Sequence, residues 1–185
     1  MYLRKKRHMA REVIVLRYGH RVIRDERVTS HCCLVARALG AQKIIIVGER
    51  DKVVKKGMEK VTRKWGGKFK IEFTNSWTNS LHRLKKKGFI VVHLTMYGLP
   101  ISALSKTLEN SKKIVLVIGS KKVERRMFEK SDYNVSVTSQ PHSEIAALAI
   151  VLDRVFSGKE LGKVFRNAKI RVIPSNGKKL VKKLQ

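Results

Sequence analysis

The run Val137-Thr-Ser-Gln-Pro-His-Ser-Glu-Ile-Ala-Ala-Leu-Ala-Ile-Val-Leu-Asp153 sets an amide, an imidazole, a hydroxyl and a carboxylate side by side and then turns apolar. Val137, Thr138, Ser139, Gln140, Pro141, His142, Ser143 and Glu144 thus offer donors, acceptors and one ring that exchanges a proton near neutral pH. A proline in a first helical turn sacrifices no hydrogen bond, and Ile145, Leu148, Ala149 and Leu152 follow at helical spacing. The pattern predicts a polar loop feeding a helix N-terminus, a place for a small ligand.

Two further islands put polar residues directly after an apolar run. One is Val91-Val-His-Leu94-Thr-Met-Tyr-Gly98, the other Ile114-Val-Leu-Val-Ile-Gly119-Ser120-Lys121-Lys122-Val123. In open α/β sheets ligands gather at the carboxyl ends of the strands, so three such ends suggest one shared pocket. No G-x-G-x-x-G follows a strand and no G-x-x-x-x-G-K-[ST] occurs, which argues against dinucleotide and P-loop chemistry. A third group, Arg21, Arg24 and Arg27 flanked by His20 and His31, is expected in a loop after the first strand. Its plain reading is a charged surface paired with Asp25 and Glu26.

The elements that must hold these groups alternate along the chain. Strands are expected near 12–17, 43–48, 68–73, 89–94, 113–118, 133–137 and 168–173, and helices near 30–39, 51–64, 77–87, 100–111 and 142–157. Ser30 is expected to cap the first helix and Gly40 to end it, with Trp65-Gly-Gly67 ending the second. Alternation of this kind predicts an α/β domain with a mostly parallel sheet. Asn176-Gly177, between Val172-Ile173 and Leu180-Val181, suggests a terminal hairpin. Trp65 and Trp77 are expected in the core. Met9 is an alternative start, since Met1 to His8 is a basic octapeptide without apolar periodicity.

Composition narrows the class. Among 185 residues there are 42 Lys and Arg against 14 acidic residues, a formal charge of +28, with 43% apolar residues. Such a chain folds and seeks polyanions. No apolar run of about 18 residues and no signal-peptide pattern is seen, so a soluble, cytoplasmic protein without a membrane span is expected. Adjacent Cys32 and Cys33 suit neither C-x-x-C redox chemistry nor zinc; no metal is expected, and small buried hydrophobes are their plain reading, with a disulfide across a dimer as the alternative.

Six islands, Leu16-Arg-Tyr-Gly-His-Arg21, Arg24-Asp-Glu-Arg-Val-Thr-Ser-His31, Ala36-Arg-Ala-Leu-Gly-Ala41, His93-Leu-Thr-Met-Tyr-Gly98, Asp132-Tyr-Asn-Val135 and Gln140 to Ala149, together resemble the archaeal tRNA cytidine-56 2′-O-methyltransferases of the SPOUT superfamily. The resemblance runs over roughly residues 12 to 174. It implies an α/β SPOUT-type fold whose C-terminal part forms a deep trefoil knot, a rare exception to unknotted topology, with a short C-terminal β extension. It implies a homodimer that methylates the ribose of cytidine 56 in the TΨC loop of tRNA from S-adenosyl-L-methionine. By motif it places the cofactor at Leu94, at Gly119, Ser120, Lys121, Lys122 and Val123, and at Val137 to Glu144, with Ile118 and Leu148 as further apolar walls. The corresponding division is a basic arm over 1–11, a SPOUT domain over 12–165, and a C-terminal hairpin and basic tail over 166–185.

Arg24, Arg27, His142 and Ser143 are then the candidates for catalysis. Arginine loses its proton only above about pH 12, so the two arginines are organisers of phosphate and hydroxyl, while Ser143 aligns the hydroxyl and His142 relays the proton. Tyr133 and Asn134 are expected to shape the loop, and Tyr97 to pack or to stack on a base. The chain departs from the family at Ser120, where an acidic residue is usual before the lysine. It departs from the broader SpoU branch at Leu34, where that branch has its arginine, and at Ile145, where its third motif has asparagine. A SPOUT enzyme with another RNA target, or an RNA-binding protein without catalysis, would carry the same fold; a DNA regulator would need a helix-turn-helix or zinc signature, which is missing.

Overall fold

The apolar runs lack the alternation of a sheet with one wet face, because helices cover both sides. The computed structural model describes residues 11–119 and 123–184. Its elements, in chain order, are β1 (Glu12–His20), α1 (Val22–Ala38), β2 (Lys43–Gly48), α2 (Lys52–Trp65), β3 (Lys70–Thr74), α3 (Trp77–Lys86), β4 (Ile90–Pro100), α4 (Ile101–Asn110), β5 (Lys113–Gly119), α5 (Arg125–Lys130), β6 (Tyr133–Ser136) and α6 (Glu144–Phe156). The six strands run parallel in the order β3-β2-β1-β5-β4-β6. Val13, Val15, Ile44, Ile46, Ile114 and Leu116 pack under α1, α2, α4 and α6, while Ile14, Leu16, Ile45, Val115 and Val117 pack under α3 and α5.

The first helix starts eight residues before its expected start. Its buried stripe is Asp25, Thr29, Cys32, Cys33 and Ala36, so two polar residues fill positions where apolar periodicity was sought. Arg21 precedes the helix, and its backbone N–H donates to the Asp25 carboxylate at 3.0 Å. Ser30 therefore lies inside α1 and caps nothing, and Arg24 and Arg27 stand on the helix, not in a loop. Six-residue α5 was not anticipated, since it is too short to show a period.

Other caps follow the sequence. Asp51 accepts from the amides of Val53 and Val54 at 2.8 and 3.0 Å, and Gly66 ends α2 with φ of 77°. Cys32 and Cys33 are wholly buried and unpaired, and burial pushes each thiol up to about 12. That depth removes the cross-dimer disulfide as an arrangement of this fold. Trp77 is in the core, edge-on to Tyr18 at 6.4 Å, but Trp65 is half-exposed and outside both cores.

After α6 the chain folds back along the amino end of the sheet, where Phe165 lies against Gly67 and under the Arg37 guanidinium, 4.6 Å from its ring centre. It ends in an antiparallel hairpin, β7 (Ile170–Ile173) with β8 (Leu180–Lys183), closed by a loop longer than a two-residue Asn-Gly turn. No helix among the described residues is long and apolar enough to cross a membrane.

Candidate active site

The three strand ends singled out in the sequence are neighbours in space, because β5, β4 and β6 are consecutive in the sheet. Gly119 ends β5 beside Tyr18 of β1, and Leu94 of β4 pairs with Val135 of β6. The pairing register then slips over Thr95 to Gly98 within β4, so that Leu99 pairs with the same Val135 and Pro100 with Ser136. Only glycine tolerates this crossing. A Cβ on Gly98 would lie 2.4 Å from the Val135 nitrogen and 2.5 Å from the Asn134 carbonyl carbon. Gly98→Ala is therefore expected to cost about 1–3 kcal/mol through backbone displacement, read as a lower urea midpoint; an unchanged midpoint would mean the crossing opens without strain.

Beyond β6, hydrogen bonds shape the loop. The Ser136 hydroxyl donates to the Thr138 carbonyl at 2.6 Å, and the Gln140 amide donates to the Thr138 hydroxyl at 3.2 Å. Thr138 to Ser143 are exposed, with Val137 and Glu144 half-buried at either side. Helix α6 begins at Glu144, so Pro141 stands in the loop before the cap and not in the first turn. Ser143 is the cap, accepting from the Ile145 amide at 3.1 Å, which leaves its O–H free to donate. His142 Nδ1 lies 2.7 Å from the Gln140 carbonyl oxygen. A carbonyl can only accept, so in the neutral ring Nδ1 holds the hydrogen and Nε2 presents the lone pair.

Asn134 reaches across from β6 to His93 Nδ1 at 2.9 Å and donates to the Phe128 carbonyl at 3.1 Å, bracing the sheet under the loop. Leu94 and Val137 are half-buried and form the apolar edge of the site, whereas Ile118 and Leu148 are wholly buried and support it from below without lining it. Tyr97 is 80% exposed, so its packing alternative falls and its ring is open to a partner. Val123 packs against the second core; Ser120, Lys121 and Lys122 lie outside the described residues.

Helix α1 follows β1 and α6 follows β6, so both start at the carboxyl end of the sheet. Arg24 and Arg27 are exposed on the first turns of α1, and His31 continues their face one turn on. What ties the two helix starts together is a residue that the candidates above left out. Arg17 of β1 is fully buried, and its Nη2 donates to Glu144 Oε1 at 3.0 Å. Arg17 Nε and Nη1 and Glu144 Oε2 have no partner and are shut from solvent. Burial pushes the Glu144 carboxyl up, against the downward pull of Arg17, and nearby Asp25 adds to the rise. The signal in the sequence was an arginine inside an otherwise apolar strand.

Next to this pair, buried His20 holds Thr29 Oγ1 at 2.8 Å through Nδ1, and its Nε2 is 3.3 Å from Asp51. Asp51 would raise the imidazole, yet desolvation and Arg17 outweigh it, and His20 titrates below its ordinary value of 6.5. Burial lowers His93 likewise. When the folded-state value is depressed, the unfolded chain takes up protons first, so stability present above pH 6.5 is lost as pH falls. Unfolding free energies from urea titrations are expected to drop from pH 7.5 to pH 5, by at most about 1.4 kcal/mol per pH unit for each ring, and a flat profile would mean the two rings protonate without opening the fold.

A half-buried apolar edge, exposed loop amides and carbonyls and a helix N-terminus suit a nucleoside-bearing ligand held by backbone groups. The parallel sheet with this site at the ends of β5, β4 and β6 is the fold of the SpoU-type RNA methyltransferases. It superposes on the TrmH/SpoU tRNA modifying enzyme of A. aeolicus with a TM-score of 0.59 at 15% identity, over 80% of this chain and 75% of that one. On the SpoU methyltransferase AviRb from Streptomyces viridochromogenes, solved with the cofactor AdoMet, the TM-score is 0.57 at 14% identity, over 84% and 60%. Sequence narrows this class to one family. Residues 65–182 match the tRNA ribose 2'-O-methyltransferase family, aTrm56, and the tRNA (cytidine(56)-2'-O)-methyltransferase of Thermococcus kodakarensis is 48% identical over 178 residues, 94% of this chain and 98% of that protein. The chain belongs to this family of tRNA ribose 2′-O-methyltransferases.

Proposed function

We propose that the chain methylates the ribose 2′-hydroxyl of cytidine 56 in the TΨC loop of tRNA, using S-adenosyl-L-methionine. The observation that carries this is the free Nε2 of His142, whose Nδ1 is held by the Gln140 carbonyl, in the loop after β6, the strand beside β4 with β5 next in the sheet, in a chain of the tRNA ribose methyltransferase family. Bound at Leu94, Gly119 to Val123 and Val137 to Glu144, the cofactor supplies an electrophilic methyl on a sulfonium. The protein has to hold the ribose oxygen in line and take its proton.

His142 Nε2 accepts that proton as the O–CH₃ bond forms and the S–CH₃ bond breaks. The Ser143 hydroxyl, at the positive end of α6, donates to the oxygen as its charge grows. Arg24 and Arg27, exposed at the same end of the sheet, grip the flanking phosphates in bidentate fashion. The enzyme works as a cytoplasmic homodimer. Fully exposed Ile23, with exposed Leu34 on α1 and Ile150 on neighbouring α6, offers an apolar face beside the site for a second copy. The double use of Val135 by Leu94 and Leu99 is the local crossing expected where a chain is threaded into a trefoil knot. The functional division has the methyltransferase domain over 12–165 and a hairpin and basic tail over 166–185, while the basic segment over 1–11 lies, but for Arg11, outside the described residues.

The test is transfer of labelled methyl to an unmodified tRNA transcript, beside a transcript with 2′-deoxycytidine at position 56. Label in the first alone establishes reaction, atom and target. Equal label in both keeps the methyltransferase and discards the site, and no label in either, with tRNA binding intact, points to a binding protein.

A further inference from the structure

The exposed side of α2 carries a charge pattern that the methyl-transfer site does not use. Lys52, Lys56, Lys60 and Lys64 recur every fourth residue and are all exposed, so they form one stripe along the helix. Like charges at this spacing disfavour a helix. The adjacent stripe, Lys55-Glu59-Arg63, alternates in sign as an ordinary solvated face does. Among the described residues no ion pair neutralises the four lysines.

The stripe leads into a built groove. Lys60, Arg63, Lys64 and Lys169, with Val61 and Trp65, line an open groove of about 490 Å³. Trp65 is the indole that the core does not take up. The hairpin is fastened at this point, with the Lys169 amide donating to the Lys64 carbonyl at 3.0 Å and the Leu184 amide to the Lys169 carbonyl at 2.8 Å. The hairpin and its loop add Arg171, Lys178, Lys179, Lys182 and Lys183, all exposed.

The track has a direction. Asp51, capping the start of α2, touches His20 at the carboxyl end of the sheet, and Gly67, after its end, donates to Arg166 of the chain that runs along the amino end. Helix α2 is ~21 Å long, so the groove lies about that far from the end where methyl is transferred. Successive lysines rise ~6 Å, a spacing that suits consecutive phosphates of an RNA strand. We infer that the lysine stripe of α2, the Trp65 groove and the hairpin form a second RNA-docking surface, gripping a segment of the substrate distant from the methylated nucleotide, with Trp65 stacking on a base or ribose. The inference rests on the tRNA reading for the identity of the RNA, while the surface itself is tested by binding.

The test compares wild type with Lys56→Ala/Lys60→Ala/Lys64→Ala, Trp65→Ala and Trp65→Phe. Affinity for a full-length tRNA transcript is measured by anisotropy across a salt series, and KM is measured for that transcript and for a short stem-loop bearing the target cytidine. Alanine suits an exposed helix, so the triple variant is expected to fold and to bind S-adenosylmethionine as wild type does. It should bind the full transcript 10- to 100-fold more weakly, with a salt slope smaller by about 2–3, and leave the stem-loop KM within twofold. Trp65→Ala should lose about 5- to 100-fold and Trp65→Phe should recover most of it. Unchanged affinity and salt slope overturn the inference. Equal losses on both RNAs would put the stripe at the target loop and overturn the distant docking. Unchanged tRNA binding, with anionic vesicles bound by wild type and released by the triple variant, would assign the stripe to a membrane surface. Binding is read independently of turnover, so a wild type that binds tRNA and methylates neither RNA would sink the methyltransferase reading and leave the docking surface standing.

Discussion

Replacing Arg17 by methionine is expected to lower stability by about 3–5 kcal/mol, a fall in Tm of roughly 6–20 °C for a chain of this size. Methionine fills much of the arginine's volume, so a cavity is not the cause. The cause is Glu144, whose half-buried carboxylate has the Arg17 guanidinium at 3.0 Å on one oxygen, while the other oxygen is shut from solvent with no partner. Burial already pushes this carboxyl up while Arg17 holds it down. Without Arg17, desolvation and Asp25 act unopposed, and the folded state holds the proton to higher pH. A raised folded-state value means stability that is full at low pH and lost as pH rises, so the damage should be greater at pH 8 than at pH 5. Adding Glu144→Gln should restore part of the loss at pH 8. Urea unfolding of the single and double variants at both pH values measures all of this. A loss under about 1 kcal/mol for Arg17→Met would show that water or a rearranged side chain satisfies Glu144.

His142→Gln is expected to cut kcat by about 10² to 10⁴, the usual worth of a positioned general base. Glutamine keeps a polar group near the Gln140 carbonyl but cannot take a proton. The affinity for S-adenosylmethionine should change less than threefold, because the loop's backbone contacts remain. The acid limb of the wild-type kcat profile should vanish in the variant. Single-turnover rates across pH 5.5–9 separate the outcomes. A kcat within about threefold of wild type, with the acid limb retained, would remove His142 from proton transfer and leave Ser143 and the arginines with a purely orienting part.

The strands were legible because both of their faces are buried, which leaves runs such as Ile114 to Ile118 apolar throughout. The loop before α6 was legible for the opposite reason, as a concentration of polar types between two apolar segments. The start of α1 was not. Asp25 and Thr29 take the inward positions there, and an apolar periodicity search reads a polar inward face as a loop. That error moved Arg24 and Arg27 off the helix without changing which arginines were named. Trp65 was misplaced because bulk alone suggested burial, while the residue lies at the end of α2 among Lys60, Lys64 and Lys169. Arg17 stood in plain view as a cation within β1, but its partner lies 127 residues along the chain, and no local pattern connects them.

That separation sets an order on folding. While the chain is being made, β1, β2 and β3 with α1 and α2 can assemble from the first half, and β5 cannot join β1 until residue 119 has emerged. Throughout that time Arg17 lacks the Glu144 carboxylate it meets in the folded chain, and Asp25 and Asp51 are the buried acids nearby from the first half. Only the docking of α6 brings Glu144 to Arg17. The same step sets the loop of His142 at the end of β6 beside β4, so the docking of α6 also completes the candidate site.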